Sequence, residues 1–211
     1  MALLAQTGTP LAHNPVSNLR LASGIADLQG LRAAGVTVGI GTDGAASNDG
    51  QNMWEAVKLA AILHRLYGTP DRWITAADAL RLCFEGGAAI MRRPIGAIRE
   101  GSDADVAILG GRDLFLRPKE QLITSLVLGD LGSSVRTVVV AGEVVIEDGR
   151  STRVDETALL AEVARIVEKS VASDPARSEA WRQGRAVVER LATAVDAAVD
   201  GPRGLMRPEA R

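Results

Sequence analysis

Asp43 is the side chain in this sequence best placed to do chemistry. It lies in Val38-Gly39-Ile40-Gly41-Thr42-Asp43-Gly44-Ala45-Ala46-Ser47-Asn48. The apolar run Val36 to Ile40, closed by a glycine, reads as a buried parallel strand. Asp43 then falls just past the C-terminal end of that strand, where α/β folds carry their reacting groups. An aspartate next to a glycine also caps turns, and the local pattern alone leaves both roles open. Gly41 and Gly44 allow the tight turn. Ser47, Asn48 and Asp49 offer capping chemistry for a helix starting near Gln51 or Asn52.

Other ligating or nucleophilic groups are scarce. The chain has two histidines, His13 and His64, and one cysteine, Cys83. His13 opens the segment His13-Asn14-Pro15-Val16-Ser17-Asn18, whose short polar side chains hydrogen-bond nearby backbone and shape a loop. Asn14, Ser17 and Asn18 therefore read as turn-forming. His64 shares a helical spacing with Met53, Val57, Ala60 and Ala61 and reads as a packing residue, because no second ligand stands at helical spacing from it. Cys83 falls in an amphipathic helix, Ala76 to Met91, and reads as buried packing. A single cysteine excludes an intramolecular disulfide framework and fits a reducing compartment.

The elements around these groups follow from periodicity and punctuation. Ala2 to Gln6 reads as the tail of a helix. Asp27 to Ala34 reads as a short helix closed by Gly35, with Ile25, Leu28 and Leu31 on one face. Gln51 to Leu66 is a longer helix. Thr75 and Asp78 form a near-capping box for the helix running to Met91, and Gly86-Gly87 inside it signals a close packing contact or a bend. After Pro94 the pattern changes. Ile95 to Gly101 reads as a strand-like piece and turn, and Ala104 to Leu109 as a strand. Leu122 to Leu128 fits either helix or strand. Val135 to Val140 and Val144 to Ile146 flank a short hairpin turn at Gly142-Glu143. Asp155 to Ala172 and Ala176 to Val199 read as two helices. These divide the chain into 1–93, an α/β part; 94–150, a small β unit; 151–200, C-terminal helices; and 201–211, a disordered tail.

Composition narrows the function classes. The chain has 211 residues, 46% of them hydrophobic and 24% charged, as expected of a globular protein. A formal net charge of −2 gives no electrostatic case for nucleic acid or an anionic membrane. No apolar run is long enough to span a bilayer, and the N-terminus lacks a signal-peptide pattern, so the expectation is a cytoplasmic protein.

Four segments together resemble the amidohydrolase superfamily, in its deaminase and chlorohydrolase branch acting on N-heterocycles. They are His13-Asn14-Pro15-Val16-Ser17-Asn18-Leu19-Arg20-Leu21-Ala22-Ser23-Gly24, then Gly41-Thr42-Asp43-Gly44-Ala45-Ala46-Ser47-Asn48, then Ile95-Gly96-Ala97-Ile98-Arg99-Glu100-Gly101-Ser102-Asp103-Ala104-Asp105, and finally Val138 to Val145 with Asp148-Gly149. That branch includes methylthioadenosine/S-adenosylhomocysteine deaminases, nucleobase deaminases and triazine hydrolases. The resemblance implies an α/β fold: the last strand-helix units of a TIM-type barrel, part of a small β-sandwich, and C-terminal helices. It implies one divalent metal, zinc or iron, held by a His-x-His pair, a further histidine and an aspartate, with metal-bound hydroxide attacking a ring carbon. On this resemblance Asp43 is the metal-binding and catalytic aspartate. Ser47 stands where the family touches substrate or packs the pocket floor, or else caps a helix. His13 matches the histidine after the seventh strand, a residue that shapes the pocket or contacts substrate. Asp105 is a strand-entry residue.

The departures are as informative. The sequence contains no His-x-His pair, and one carboxylate cannot hold a catalytic zinc, which takes three protein ligands. A barrel closes with eight strands. The expectation is therefore a chain that binds no metal by itself. Three readings follow: the C-terminal portion of a deaminase, one half of a split hydrolase completed by a partner chain, or a non-catalytic assembly module. The substrate class on the first two is a purine-like, pterin-like or related ring. An open barrel remnant would expose apolar surface and a sheet edge, which favours association, including with a second copy.

Overall fold

A computed structural model describes residues 1–66, 69–110 and 118–173, with positions 179, 183, 184, 186, 187 and 190. Its contacts divide into two compact units, Met1–Arg153 and Val154–Arg211.

The first unit begins with α1 (Ala2–Thr7), which stops at Gly8 in the left-handed conformation. Strand β1 (Leu11–His13) leads into α2 (Pro15–Arg20), where Pro15 occupies the first turn and needs no amide partner. Helix α3 (Leu28–Ala33) is capped by the Asp27 carboxylate accepting from the Gly30 amide. Strand β2 (Val38–Ile40) is buried at every residue and pairs parallel with β1, His13 opposite Ile40. Parallel pairing requires a crossover, and α2 and α3 are that crossover.

Helix α4 (Met53–Ile62) continues as a 3₁₀ turn over Leu63–Leu66. Its cap is Asn52, whose side chain accepts from the Trp54 amide, and not Ser47, Asn48 or Asp49. Those three residues bond within and between the loops instead. The Thr75/Asp78 capping box forms fully and opens α5 (Ala76–Arg81). A π-turn over Leu82–Gly86 then interrupts the expected helix before α6 (Gly87–Met91). Leu28, Val57, Ile74, Ala60, Ala61 and Ala79 are buried between these helices and β2. Fully burying each of the three larger ones is worth about 1.5–3 kcal/mol.

The Gly86-Gly87 pair divides its labour. A β-carbon on Gly86 would lie 2.0 Å from the Val38 carbonyl oxygen and 2.8 Å from the Gly39 Cα, so helix backbone sits directly on strand backbone. Nothing lies within 4 Å of the same position on Gly87.

Residues 95–101 form turns rather than the expected strand-like piece. Gly96 and Gly101 both have positive φ, at 77° and 80°. A side chain at Gly96 would meet the Phe84 carbonyl oxygen at 2.5 Å, so this segment is folded down against the π-turn and cannot extend. An antiparallel sheet follows in the order β3 (Val106–Leu109), β4 (Val135–Val140), β5 (Glu143–Glu147), β6 (Arg150–Ser151). The β4–β5 turn is Ala141-Gly142, one residue earlier than expected, with φ of 52° and 82° as a type I′ turn demands. The Asp105 carboxylate accepts from the Ala141 amide at 2.7 Å and holds that turn. Residues 122–125 form α7 (Leu122–Ser125), extended by a π-turn to Asp130, which settles the ambiguous apolar stretch as helical.

In the second unit, α8 (Glu156–Ser173) starts where the Asp155 carboxylate accepts from the Ala158 amide. The expected helix over 176–199 and the tail over 201–211 lie outside the described residues, apart from the isolated positions above. No helix among the described residues is long and apolar enough to cross a membrane.

The Gly86 contact yields a paired test. Gly86→Ala drives a methyl group into the β2 backbone and destabilises by about 2–3 kcal/mol. Gly87→Ala has room and a helical φ of −60°, and stabilises by about 0.5–1 kcal/mol. Urea unfolding of both variants measures the contrast.

Candidate active site

Parallel strands carry their following residues to the same edge of the sheet. The loop after β1 and the loop after β2 therefore meet, and the chain joins them at several points. The His13 carbonyl accepts from the Gly41 amide at 2.9 Å, extending the ladder one step past the strands. A β-carbon on Gly41 would lie 2.4 Å from Asn14 Oδ1, so a larger residue there would displace the Asn14 side chain. Arg20 donates to both oxygens of Asp49, at 2.9 and 3.1 Å, and ties the end of α2 to the loop after β2. Asn48, 1% exposed, donates to the Thr42 carbonyl at 2.8 Å and fixes the turn from beneath.

Asp43 stands at the centre of this junction, exposed, with a left-handed φ of 62°. Aspartate tolerates that conformation better than most residues, and strain of this kind collects at functional sites. Ser17 Oγ donates to Oδ2 at 2.6 Å, and the Gly44 amide donates to Oδ1 at 2.7 Å. The Gln51 side-chain amide holds the Asp43 carbonyl at 3.1 Å. The Ser17 bond, then Ser47, then the Gly44 amide keep the carboxyl below its ordinary pKa. Asp43 is thus a carboxylate at neutral pH, able to accept a proton or bind a cation, with acceptor capacity left on both oxygens. Ser47 is not a helix cap. Its hydroxyl donates to the Gly44 carbonyl at 3.1 Å and lies beside the Asp43 carboxylate.

The sequence reads Ser17 as a turn-forming loop residue, whereas the structure places it in α2 with its hydroxyl on Asp43. Its partner is 26 residues away, and the one sequence signal is that both motifs follow parallel strands.

His13 is 1% exposed, and its ring lies 5.6 Å from that of His64, itself 5% exposed. Neither His13 nitrogen has a hydrogen-bond partner. Burial, reinforced by His64, pushes the His13 pKa down to about 4. Burial also lowers that of His64. Both rings are therefore neutral at pH 7. Ala12 lines an apolar cavity of about 630 Å³ with Ile40, Met53, Phe84, Ile90 and Ile98.

A catalytic zinc takes three protein ligands. Among the described residues no group of three or more histidine, cysteine, aspartate or glutamate side chains is placed to hold a metal ion. Asp43 is one donor, so these residues do not fit a complete metal centre.

A family model described as the amidohydrolase family matches residues 1–145. The chain belongs to the amidohydrolase family. The 5-methylthioadenosine/S-adenosylhomocysteine deaminase of Nitratidesulfovibrio vulgaris is 42% identical over 164 residues, which are 77% of this chain and 37% of that protein. Among solved amidohydrolase structures, an adenosine deaminase from Xanthomonas campestris with bound zinc superposes with a TM-score of 0.73 at 31% identity, over 79% of this chain and 38% of that one. The atrazine chlorohydrolase of Arthrobacter aurescens TC1, complexed with zinc, gives 0.72 at 32% identity over 79% and 37%. The chain thus spans under two-fifths of the length of these amidohydrolases.

The buried histidine sets a pH dependence. Its folded pKa is depressed, near 4 against 6.5 unfolded. The contribution is therefore complete above pH 6.5 and is lost as the pH falls toward 4, by roughly 3 kcal/mol in total. Urea midpoints should fall between pH 7.5 and pH 4.5, and His13→Leu should flatten that fall.

Proposed function

We propose that this chain carries the aspartate of a metal-dependent hydrolytic deaminase whose other metal-binding donors come from residues outside this chain. The substrate class is an amino-substituted, purine-like ring of the adenosine type. The reading puts β1 and β2 as neighbouring strands of a TIM-type barrel, with the β3–β6 sheet as part of the accessory sandwich. The observation that carries it is Asp43: an ionised carboxylate, fixed at the C-terminal mouth of a buried parallel strand, in the segment that matches the family. The names of the relatives support the reaction class.

Hydrolytic deamination replaces a ring C–NH₂ bond with C–O. Water adds to the ring carbon, one of its protons must be taken up, and ammonia must leave carrying a proton. In this reading Asp43 takes the proton from the attacking water and returns it to the departing nitrogen. Its carboxylate is unprotonated at neutral pH and so has room for that proton, and its exposure leaves it open to the reacting groups. Ser47 forms the floor beside it, and the backbone of His13 sets the spacing of the two loops.

The test is complementation. The chain is co-expressed with the part of the Nitratidesulfovibrio vulgaris deaminase that it does not span, and ammonia release from S-adenosylhomocysteine and 5′-methylthioadenosine is followed. The expected result is no turnover by the chain alone, turnover by the assembly, and a fall of at least ~10³-fold in kcat with Asp43→Asn, on the scale seen for losing a central proton-transfer group. Turnover that Asp43→Asn leaves unchanged would contradict the proposal.

A further inference from the structure

We infer that Ser17 is a positioning residue for the Asp43 carboxylate, so that the loop after β1 sets the working geometry of the loop after β2. The inference rests on the reading of Asp43 given above and assigns a role to a residue outside it.

Ser17 is the third residue of α2, a position from which a hydroxyl ordinarily serves its own helix terminus. Here the α2 cap residue, Asn14, makes no side-chain capping bond, and the Ser17 hydroxyl turns away to Asp43 Oδ2 at 2.6 Å. The Ser17 hydroxyl has a single proton, and this bond uses it. The bond is short and charge-assisted, the stronger class of hydrogen bond.

Its direction matters as much as its length. Ser17 is 3% exposed, whereas Asp43 is an exposed residue. The hydroxyl therefore reaches the carboxylate from the protein side and leaves the solvent side free for substrate. The Gly44 amide on Oδ1 and the Ser47 hydroxyl beside the carboxylate both belong to the Asp43 loop, so they move with it. The Ser17 bond, to Oδ2 and from a separate element, ties the carboxylate to the body of the fold. The anchor itself is rigid: Ser17 and Pro15 are buried, and the Ser17 carbonyl accepts from the Leu21 amide at 2.9 Å.

A turn-forming serine would act on its own loop. Ser17 instead spans 26 residues to reach an exposed carboxylate at the strand mouth. Positional errors of about 1 Å at a reacting group cost on the order of 10²-fold in rate, so a residue that locks the carboxylate acts on kcat and leaves substrate affinity largely alone.

The test uses the full chain with Ser17→Ala, a change that removes one oxygen and adds no bulk. Three-bond couplings from the Asp43 carboxyl carbon to its backbone report whether the side chain holds one rotamer. In the wild-type chain these couplings should be those of a single rotamer, and the Ser17 hydroxyl proton should be protected from exchange and shifted downfield. In Ser17→Ala the couplings should average, while the amide spectrum of β1, β2 and α4 stays as in wild type. Asp43→Ala should abolish the protected hydroxyl signal. In the complemented assembly, Ser17→Ala should lower kcat by roughly 10- to 100-fold with KM within about twofold. Unchanged couplings in a folded Ser17→Ala chain would overturn the inference, and so would global unfolding of that variant, which would make Ser17 a structural residue. An assembly that Asp43→Asn leaves fully active would overturn the proposed function instead, while the couplings would still decide whether Ser17 orients the carboxylate.

Discussion

Parallel pairing of β1 with β2, with His13 opposite Ile40, is the constraint from which the strand mouth is built. Because both strands run the same way, the loops that follow them leave from one edge. Only this lets a serine after β1 reach an aspartate after β2. An antiparallel pair would send the two loops to opposite ends. The three paired positions alone would be a weak attachment, and the helices hold the pair in place. The Gly86 backbone lies against Val38 and Gly39 at a distance no side chain permits, and Leu28, Val57 and Ile74 fill the remaining space. Small residues at Ala60, Ala61 and Ala79 allow the same closeness between helices.

Polar groups at the mouth are ordered by burial. Asn48 and Ser17 are buried and satisfied, and they hold Thr42 and Asp43 from below. The Arg20–Asp49 pair is exposed on both sides, so it contributes ~0–1 kcal/mol and acts as a tether more than as a source of stability. The histidines follow the opposite logic. His13 and His64 are buried without partners for most of their ring nitrogens and face each other, so the fold keeps them uncharged. A group held neutral in the interior differs in kind from one held ionised at the edge, and the chain places the two within a few residues of the same junction.

Much of this arrangement was legible in the sequence because it is local. The glycine-closed apolar run marked β2 and the position of Asp43 just past it, though the local pattern left the role of Asp43 open, and the Thr75/Asp78 spacing marked a capping box. The contact signalled by Gly86-Gly87 was legible as a contact, though not that Gly86 alone makes it. What could not be read depends on residues far apart in the chain. The Ser17–Asp43 bond and the His13–His64 pair join segments that only the crossover brings together. The cap of α4 passed to Asn52 because Asn48 and Asp49 were taken by Thr42 and Arg20. Residues 95–101 lost strand character because Gly96 packs against the π-turn at Phe84, a feature with no local signature. The family match agrees with the resemblance carried by the same motifs over residues 1–145.

The central claim is that Asp43 completes a site whose other donors lie outside this chain. Zinc content by elemental analysis tests it most directly, on the purified chain and on the complemented assembly side by side. The account predicts well under one zinc per chain alone, one per assembly, and loss of that zinc with Asp43→Ala. Near-stoichiometric zinc on the chain alone would contradict it, as would an assembly that keeps its zinc when Asp43 is gone.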